Sequence, residues 1–265
     1  MRLKIRHETR YHFDSPVTYA LQQLRKTPRN INGQQVLSWS TTIEGGAKEL
    51  IFEDHHRNIV ELISFGSDTH EMIVTSEGEV EREDIHGITG KQSAPAPMWY
   101  FLKPTTLTRC GPGIRALVKQ FKGMEGLEAM HALSVAVRDA VAYEKKVSLM
   151  EWDAEAVLAE GRGVCQDHAH VFIAAAREMG YPARYISGYL SLDGMEDQEA
   201  MHAWVEAFVG DLGWVGFDVS NVISPDKRYV TVAVGNDYSE AAPVRGMQIG
   251  GEGETLTVDI SVTQQ

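Results

Sequence analysis

Between residues 3 and 13 apolar and polar side chains alternate. Leu3, Ile5, Tyr11 and Phe13 fall on one side, and Lys4, Arg6, Glu8, Arg10 and His12 on the other. A period of two marks a strand with one face buried and one face in water. The same alternation, broken by Gly, Asn and Asp, recurs over 36–43, 48–54, 59–65 and 71–80, and no long amphipathic helix interrupts it. Residues 1–92 are therefore expected to form a β-rich N-terminal domain, a small sandwich or barrel. The segment 90–97, rich in Pro and small residues, reads as an exposed linker, and the aromatic run at 98–102 either docks the two halves together or packs as ordinary core.

From there the period changes. Ile114, Leu117, Val118 and Phe121, then Leu127, Met130, Leu133, Val137 and Val141, recur at helical spacing, and Asp153 can cap a short helix that ends at Gly161. The run Gly161-Arg-Gly-Val-Cys-Gln-Asp-His-Ala-His170 opens another helix, with Val164, His168, Val171, Phe172, Ala175 and Met179 on its apolar spacing; Gly180 and Pro182 supply the stop. Strands follow over 183–190, 201–209, 214–218 and 229–234, and 255–262 should return as a last strand. Helices followed by an antiparallel sheet make residues 98–265 an α+β domain, its cysteine-bearing helix packed on that sheet.

The chemistry lies where that helix begins. Cys165 falls in its first turn, where unpaired N–H groups and the helix dipole favour a thiolate. A nucleophilic thiol needs a base, and the base needs an orienting group. His202 stands on the 201–209 strand and Asp218 sixteen positions on, so a turn centred near 210–211 sets them opposite or diagonal on one face of a hairpin. Trp204 and Glu206 share that face and are expected to wall the site. The backbone N–H of Cys165 is the expected oxyanion donor, with Tyr143 as a candidate for a second. Each residue has a plainer reading: a buried structural thiol, a satisfied histidine, a strand-end cap, a core tyrosine. Asp167, His168 and His170 invite a metal reading, but i and i+2 point apart on a helix, so no metal is expected; Asp167 should instead accept N–H groups in the first turn, with His168 beside the site.

Composition narrows the picture. A net charge of −12 argues against a nucleic-acid groove or an anionic membrane surface. No apolar run spans a bilayer and the start of the chain lacks a signal-peptide core, so the expected compartment is the cytoplasm. Cys110 and Cys165 are too few for a disulfide framework, and nothing around Cys110 suggests catalysis. Acidic residues Asp193, Glu196, Asp197 and Glu199 precede the base; such runs are usually solvated, though a loop there could favour cationic substrates.

Gly-x-Gly-x-Cys at a helix start, His-Ala-Trp-x-Glu on a strand and Gly-x-Asp on the next resemble the transglutaminase-like cysteine peptidases, specifically their bacterial branch. Leu3-Lys-Ile-Arg-His-Glu-Thr-Arg-Tyr11 and the tail 232–246 resemble that branch as well, so the resemblance spans nearly the whole chain. It implies a papain-like core behind the β-rich domain, with Cys165, His202 and Asp218 as a triad acting on a peptide or protein amide through a thioester. Hydrolysis is favoured over transfer to an amine, and no cofactor or calcium is expected. Gln166 follows the cysteine, unlike the upstream donor Gln of papain-like enzymes, and is expected only as a neighbour of the site. Two alternatives stay open: an arylamine N-acetyltransferase-like enzyme, disfavoured by the β-rich N-terminal half and by Gly-Arg-Gly-Val-Cys in place of Arg-Gly-Gly-x-Cys, and a catalytically silent binding module. The oligomeric state is left undecided.

Overall fold

The structure is a computed structural model describing all residues except 93, 146, 150, 151, 193–196 and 199, with only the main chain of 197 and 198. Asp193, Glu196 and Glu199 of the acidic loop thus lie outside the described residues, as does the side chain of Asp197. In chain order come β1 (Arg2–Thr27), β2 (Gln34–Glu44), β3 (Ala47–Glu53), β4 (Ile59–Phe65), β5 (Thr69–Arg82) and β6 (Ile88–Gly90). Next are α1 (Pro112–Val118), α2 (Gly126–Ala140), β7 (Ala142–Tyr143), α3 (Ala154–Glu160), β8 (Arg162–Gly163) and α4 (Cys165–Glu178). β9 (Ala183–Leu190), β10 (Asp197–Gln198), β11 (His202–Val209), β12 (Gly213–Phe217), β13 (Tyr229–Gly235), α5 (Tyr238–Ala241), β14 (Val244–Gly250) and β15 (Thr255–Gln264) complete it.

β1 carries the first sheet. The alternation at its start is realised: Leu3, Ile5 and Phe13 are fully buried and Tyr11 nearly so, while Lys4, Arg6, Arg10 and His12 face water. The strand runs well past residue 13, with Pro16 inside it, at the break where pairing with β5 jumps from His12 to Val17. Proline cannot donate to a ladder, so it sits where the partners change. Before the break β1 lies between β5 and β15; after it, between β4 and β14. The expected last strand does form, but it joins β1 rather than the sheet that follows the helices. Ile260 and Val262 are buried there against Leu3, Ile5 and Val80. Local periodicity identifies such a strand without naming its partner.

The second sheet has the order β13-β9-β11-β12-β6. Helices α1 to α4 cover one face, through Val171, Phe172 and Ala175 of α4 against Val205, Ala207 and Phe217. The other face meets the first sheet through Tyr189, Val230 and Val232. Sandwiched between layers, β9 and β13 are buried at every position.

The expected linker is exposed at Lys91, Pro95 and Pro97, as read from the sequence, but it is docked at other positions rather than free. β6 pairs with β12, Gln92 Oε1 accepts from Trp214 Nε1 at 2.8 Å and from Arg184 Nη1 at 3.2 Å, and Ala96 is buried. A polar side chain able to satisfy two buried donors holds down a segment that its Pro content marks as loose. The aromatic run forms a 3-10 turn, Met98–Leu102, whose Phe101 meets Trp214 edge-on at 5.1 Å. No helix among the described residues is long and apolar enough to cross a membrane.

Candidate active site

Cys165 is the first residue of α4. Gly161, left-handed at φ 68°, ends α3, and the chain turns back through β8, whose Gly163 approaches Asp167 so closely that a Cβ would lie 2.7 Å from the Asp167 Cβ. Asp167 Oδ2 accepts the Val164 N–H at 2.7 Å and Oδ1 accepts the Ser148 hydroxyl at 2.9 Å, as expected of an acid closing the first turn. Gly180 is left-handed at φ 87°, just past the end of α4, as its place in the sequence required.

The β11–β12 ladder pairs Val205 with Phe217, and this register sets Asp218 diagonal to His202 on the same face. Their side chains meet: His202 Nε2 lies 2.7 Å from Asp218 Oδ2. Burial works against the His202 imidazolium, but hydrogen bonding to Asp218 and to Cys165, reinforced by their charges, lifts its pKa to about 10. With Nε2 committed to Asp218, Nδ1 is the nitrogen left for the thiol. Asp218 is fully buried; desolvation alone would raise its pKa, but donors from His202, Tyr229 and Asn221 bring it below the usual carboxylate range.

The other expected residues divide. Trp204 stacks on the His202 ring at 6.2 Å and borders it. Glu206 does not reach the site: four strand positions carry it about 13 Å along β11, where Oε2 accepts Arg184 Nε at 2.6 Å and Oε1 accepts the Thr89 hydroxyl at 2.9 Å. Tyr143 lies near enough to Cys165 and Asp218 for burial, then their charges, to raise its pKa, and its exposed ring meets that of His168 at 6.0 Å. Its register opposite Gly163 in the β7–β8 pair puts it there. Gln166 is partly exposed in the first turn of α4.

His168 and His170 turn to different neighbours. His168 Nε2 donates to Val141 O at 2.9 Å and Nδ1 accepts from Ser220 at 2.8 Å, while His170 Nε2 accepts the Tyr238 N–H at 3.2 Å. Among the described residues, the side chains that gather as metal ligands would are His55, His56 and Glu240. Here Glu240 is already taken by Tyr100, His56 and the Asn236 N–H.

A model of the transglutaminase-like superfamily matches residues 115–219, and one of the bacterial transglutaminase-like N-terminal region matches 3–81. Residues 115–219 thus form a transglutaminase-like core behind a bacterial transglutaminase-like N-terminal region. An uncharacterized protein of Mycobacterium leprae, ML0607, is 28% identical over 277 residues, covering 99% of each chain. Another of Mycobacterium tuberculosis, Rv2569c, is 27% identical over 289 residues, covering 98% of this chain and 91% of its own. In fold, the chain is similar to a solved structure from Cytophaga hutchinsonii described as a "Putative Cysteine Protease": TM-score 0.79, 20% identity, 99% of this chain and 90% of that one. Both halves of this transglutaminase-like chain, including the strands returned to β1, fall within that likeness.

Two contributors escaped the sequence. Tyr229 and Asn221 both donate to Asp218 Oδ2 at 2.7 Å. Asn221 was within reach of inspection, because Asp followed three residues on by Asn in a turn is a side-chain capping pattern. Tyr229 arrives from the far side of the sheet and leaves no local signal.

Proposed function

We propose that the chain is a thiol-dependent amide hydrolase acting on a peptide or protein through Cys165, His202 and Asp218. The observation that carries this reading is the placement of one imidazole between a helix-start thiol and a fully buried carboxylate. Cys165 Sγ attacks the amide carbonyl and forms the C–S bond. The His202 imidazolium gives its proton to the leaving nitrogen as the C–N bond breaks. Water then attacks the thioester, His202 takes a proton from it, and the C–S bond breaks to release the acid and restore the thiolate. Asp218 fixes the ring's tautomer throughout. As the first residue of α4, Cys165 has its N–H outside the helical ladder and free to face the oxyanion, and the Tyr143 hydroxyl is our candidate for a second donor. The match of residues 115–219 to the transglutaminase-like superfamily supports thiol chemistry in general; water as the acceptor is our choice. The unpaired state of Cys110 and Cys165 supports a cytoplasmic setting.

The native protein carries its own control. Burial, then a hydrogen bond and charge from Glu178, pushes the Cys110 thiol up to about 11. At pH 7 about one Cys110 in ten thousand is ionised. Brief exposure to iodoacetamide at neutral pH should therefore alkylate Cys165 at least about a hundredfold faster than Cys110, read by peptide mass spectrometry. A casein digest should yield new amino termini or ammonia, lost in Cys165→Ala. Equal labelling of the two thiols would favour the silent binding module; incorporation of a fluorescent primary amine without new termini would make the chain a transferase.

A further inference from the structure

Asp218 Oδ2 accepts three hydrogen bonds of 2.7 Å, from His202 Nε2, the Tyr229 hydroxyl and the Asn221 side-chain amide, while Oδ1 accepts the Asn221 backbone N–H at 3.2 Å. A carboxylate oxygen offers about two lone-pair directions, so three donors on one oxygen share its charge. Two of them never titrate in the working range. Asn221 is an amide, and burial, then the Asp218 charge, holds the Tyr229 hydroxyl protonated. Tyr229 is also held in place: it opens β13, pairs with Leu190, lies fully buried and meets Trp204 edge-on at 5.3 Å.

We propose that Tyr229, assisted by Asn221, is a positioning residue that draws part of the Asp218 charge away from His202 and so sets how readily His202 releases its proton. This rests on the reading of His202 as acid and base given above. A fully buried aspartate with the imidazole as its sole partner would bind the proton-bearing ring so tightly that the second half-reaction, which needs a neutral imidazole, would stall. General acids and bases work best when their proton affinity sits near the working pH. Neutral donors lower that affinity because they stabilise the state in which Asp218 carries its charge beside an unprotonated ring. Other groups act on the same cluster: Cys165 and His168 from α4, Arg138 of α2 through Ser220 O at 3.1 Å, Tyr143 of β7, and Asp226 and Arg228 ahead of β13. None of them is altered by removing the Tyr229 hydroxyl.

The test is an NMR titration of the His202 imidazole in the full chain. It is run in a Cys165→Ala background so that the imidazole is read without its sulfur neighbour, with the resonance assigned by His202→Gln. Tyr229→Phe should raise the titration midpoint by about 0.5 to 1 unit. Asn221→Ala should raise it less, about 0.3 unit, because that residue is exposed and water can replace its amide. In the protein that retains Cys165, the alkaline limb of the kcat profile should move the same way. A Tyr229 that served only as scaffolding would lower kcat at every pH and leave the midpoint in place. An unchanged or lowered midpoint in folded Tyr229→Phe overturns the proposal; should that variant not fold, an unchanged midpoint in Asn221→Ala does so. The titration needs no substrate, so a failure of the hydrolase reading is seen separately, as amide turnover that survives Cys165→Ala.

Discussion

Asp218→Asn is expected to lose about 10³–10⁴-fold in turnover while Cys165 stays open to alkylation. The amide can present an N–H toward His202 and stabilise the wrong tautomer, and it cannot accept from three donors as the carboxylate does. The same change should alter how stability depends on pH. The pKa of His202 is raised from 6.5 to about 10 in the fold, so its contribution is complete below about 6.5 and is lost as pH climbs toward about 10. Asp218 is held below its ordinary 3.8, so its contribution is present above that value and is lost as pH falls through the lower folded value. Thermal melts of wild type between pH 6.5 and 10 should show a decline attributable to the pair, and Asp218→Asn should flatten it. Turnover within about tenfold of wild type, with an unchanged alkaline decline, would remove Asp218 from the mechanism.

The largest effect on stability is expected at Arg177, far from the chemistry. This side chain leaves α4 nearly buried and spends its fork on five acceptors: Phe101 O at 2.9 Å, Thr108 Oγ1 at 2.8 Å, Ala183 O at 2.9 Å, and Asn236 O and Oδ1 at 2.7 and 2.5 Å. Burial lowers its pKa, to about 10, and leaves it charged at neutral pH. It joins the nucleophile helix to the aromatic turn, to β9 and to the loop after β13. Arg177→Ala strands several buried acceptors at once and should cost about 3–5 kcal/mol, lowering Tm by roughly 10 °C. Arg177→Lys should recover little, because an ammonium cannot span a planar fork. Calorimetry of the three proteins checks this, and a drop of less than about 2 °C in Arg177→Ala would mean that water replaces the guanidinium.

The elements nearest the chemistry were the most legible. A helix that starts at Cys165 and stops before Gly180 is written in local residues, and the short Gly210–Leu212 turn fixes the register that aligns His202 with Asp218. Partners distant in sequence were not legible. Glu206 reads as a neighbour of His202 because both share a strand face, whereas its charge is claimed by Arg184, a residue that looks no different from a solvated one. β1 was legible only to Phe13, because Pro16 reads as a stop when it marks a change of partners. Tyr229 and the union of β15 with β1 depend on contacts that no periodicity encodes.

That union bears on the order in which the protein can form. Leu3–His12 of β1 has β5 on one side and β15 on the other. On the ribosome, β15 follows β1 by roughly 10–50 s at about 5–20 residues per second. Until then one edge of β1 is a bare template, open to any strand a chaperone does not shield. β1 therefore waits for a strand made about 250 residues later before it is completed, and the cysteine helix has left the ribosome before the sheet that supports its own can close.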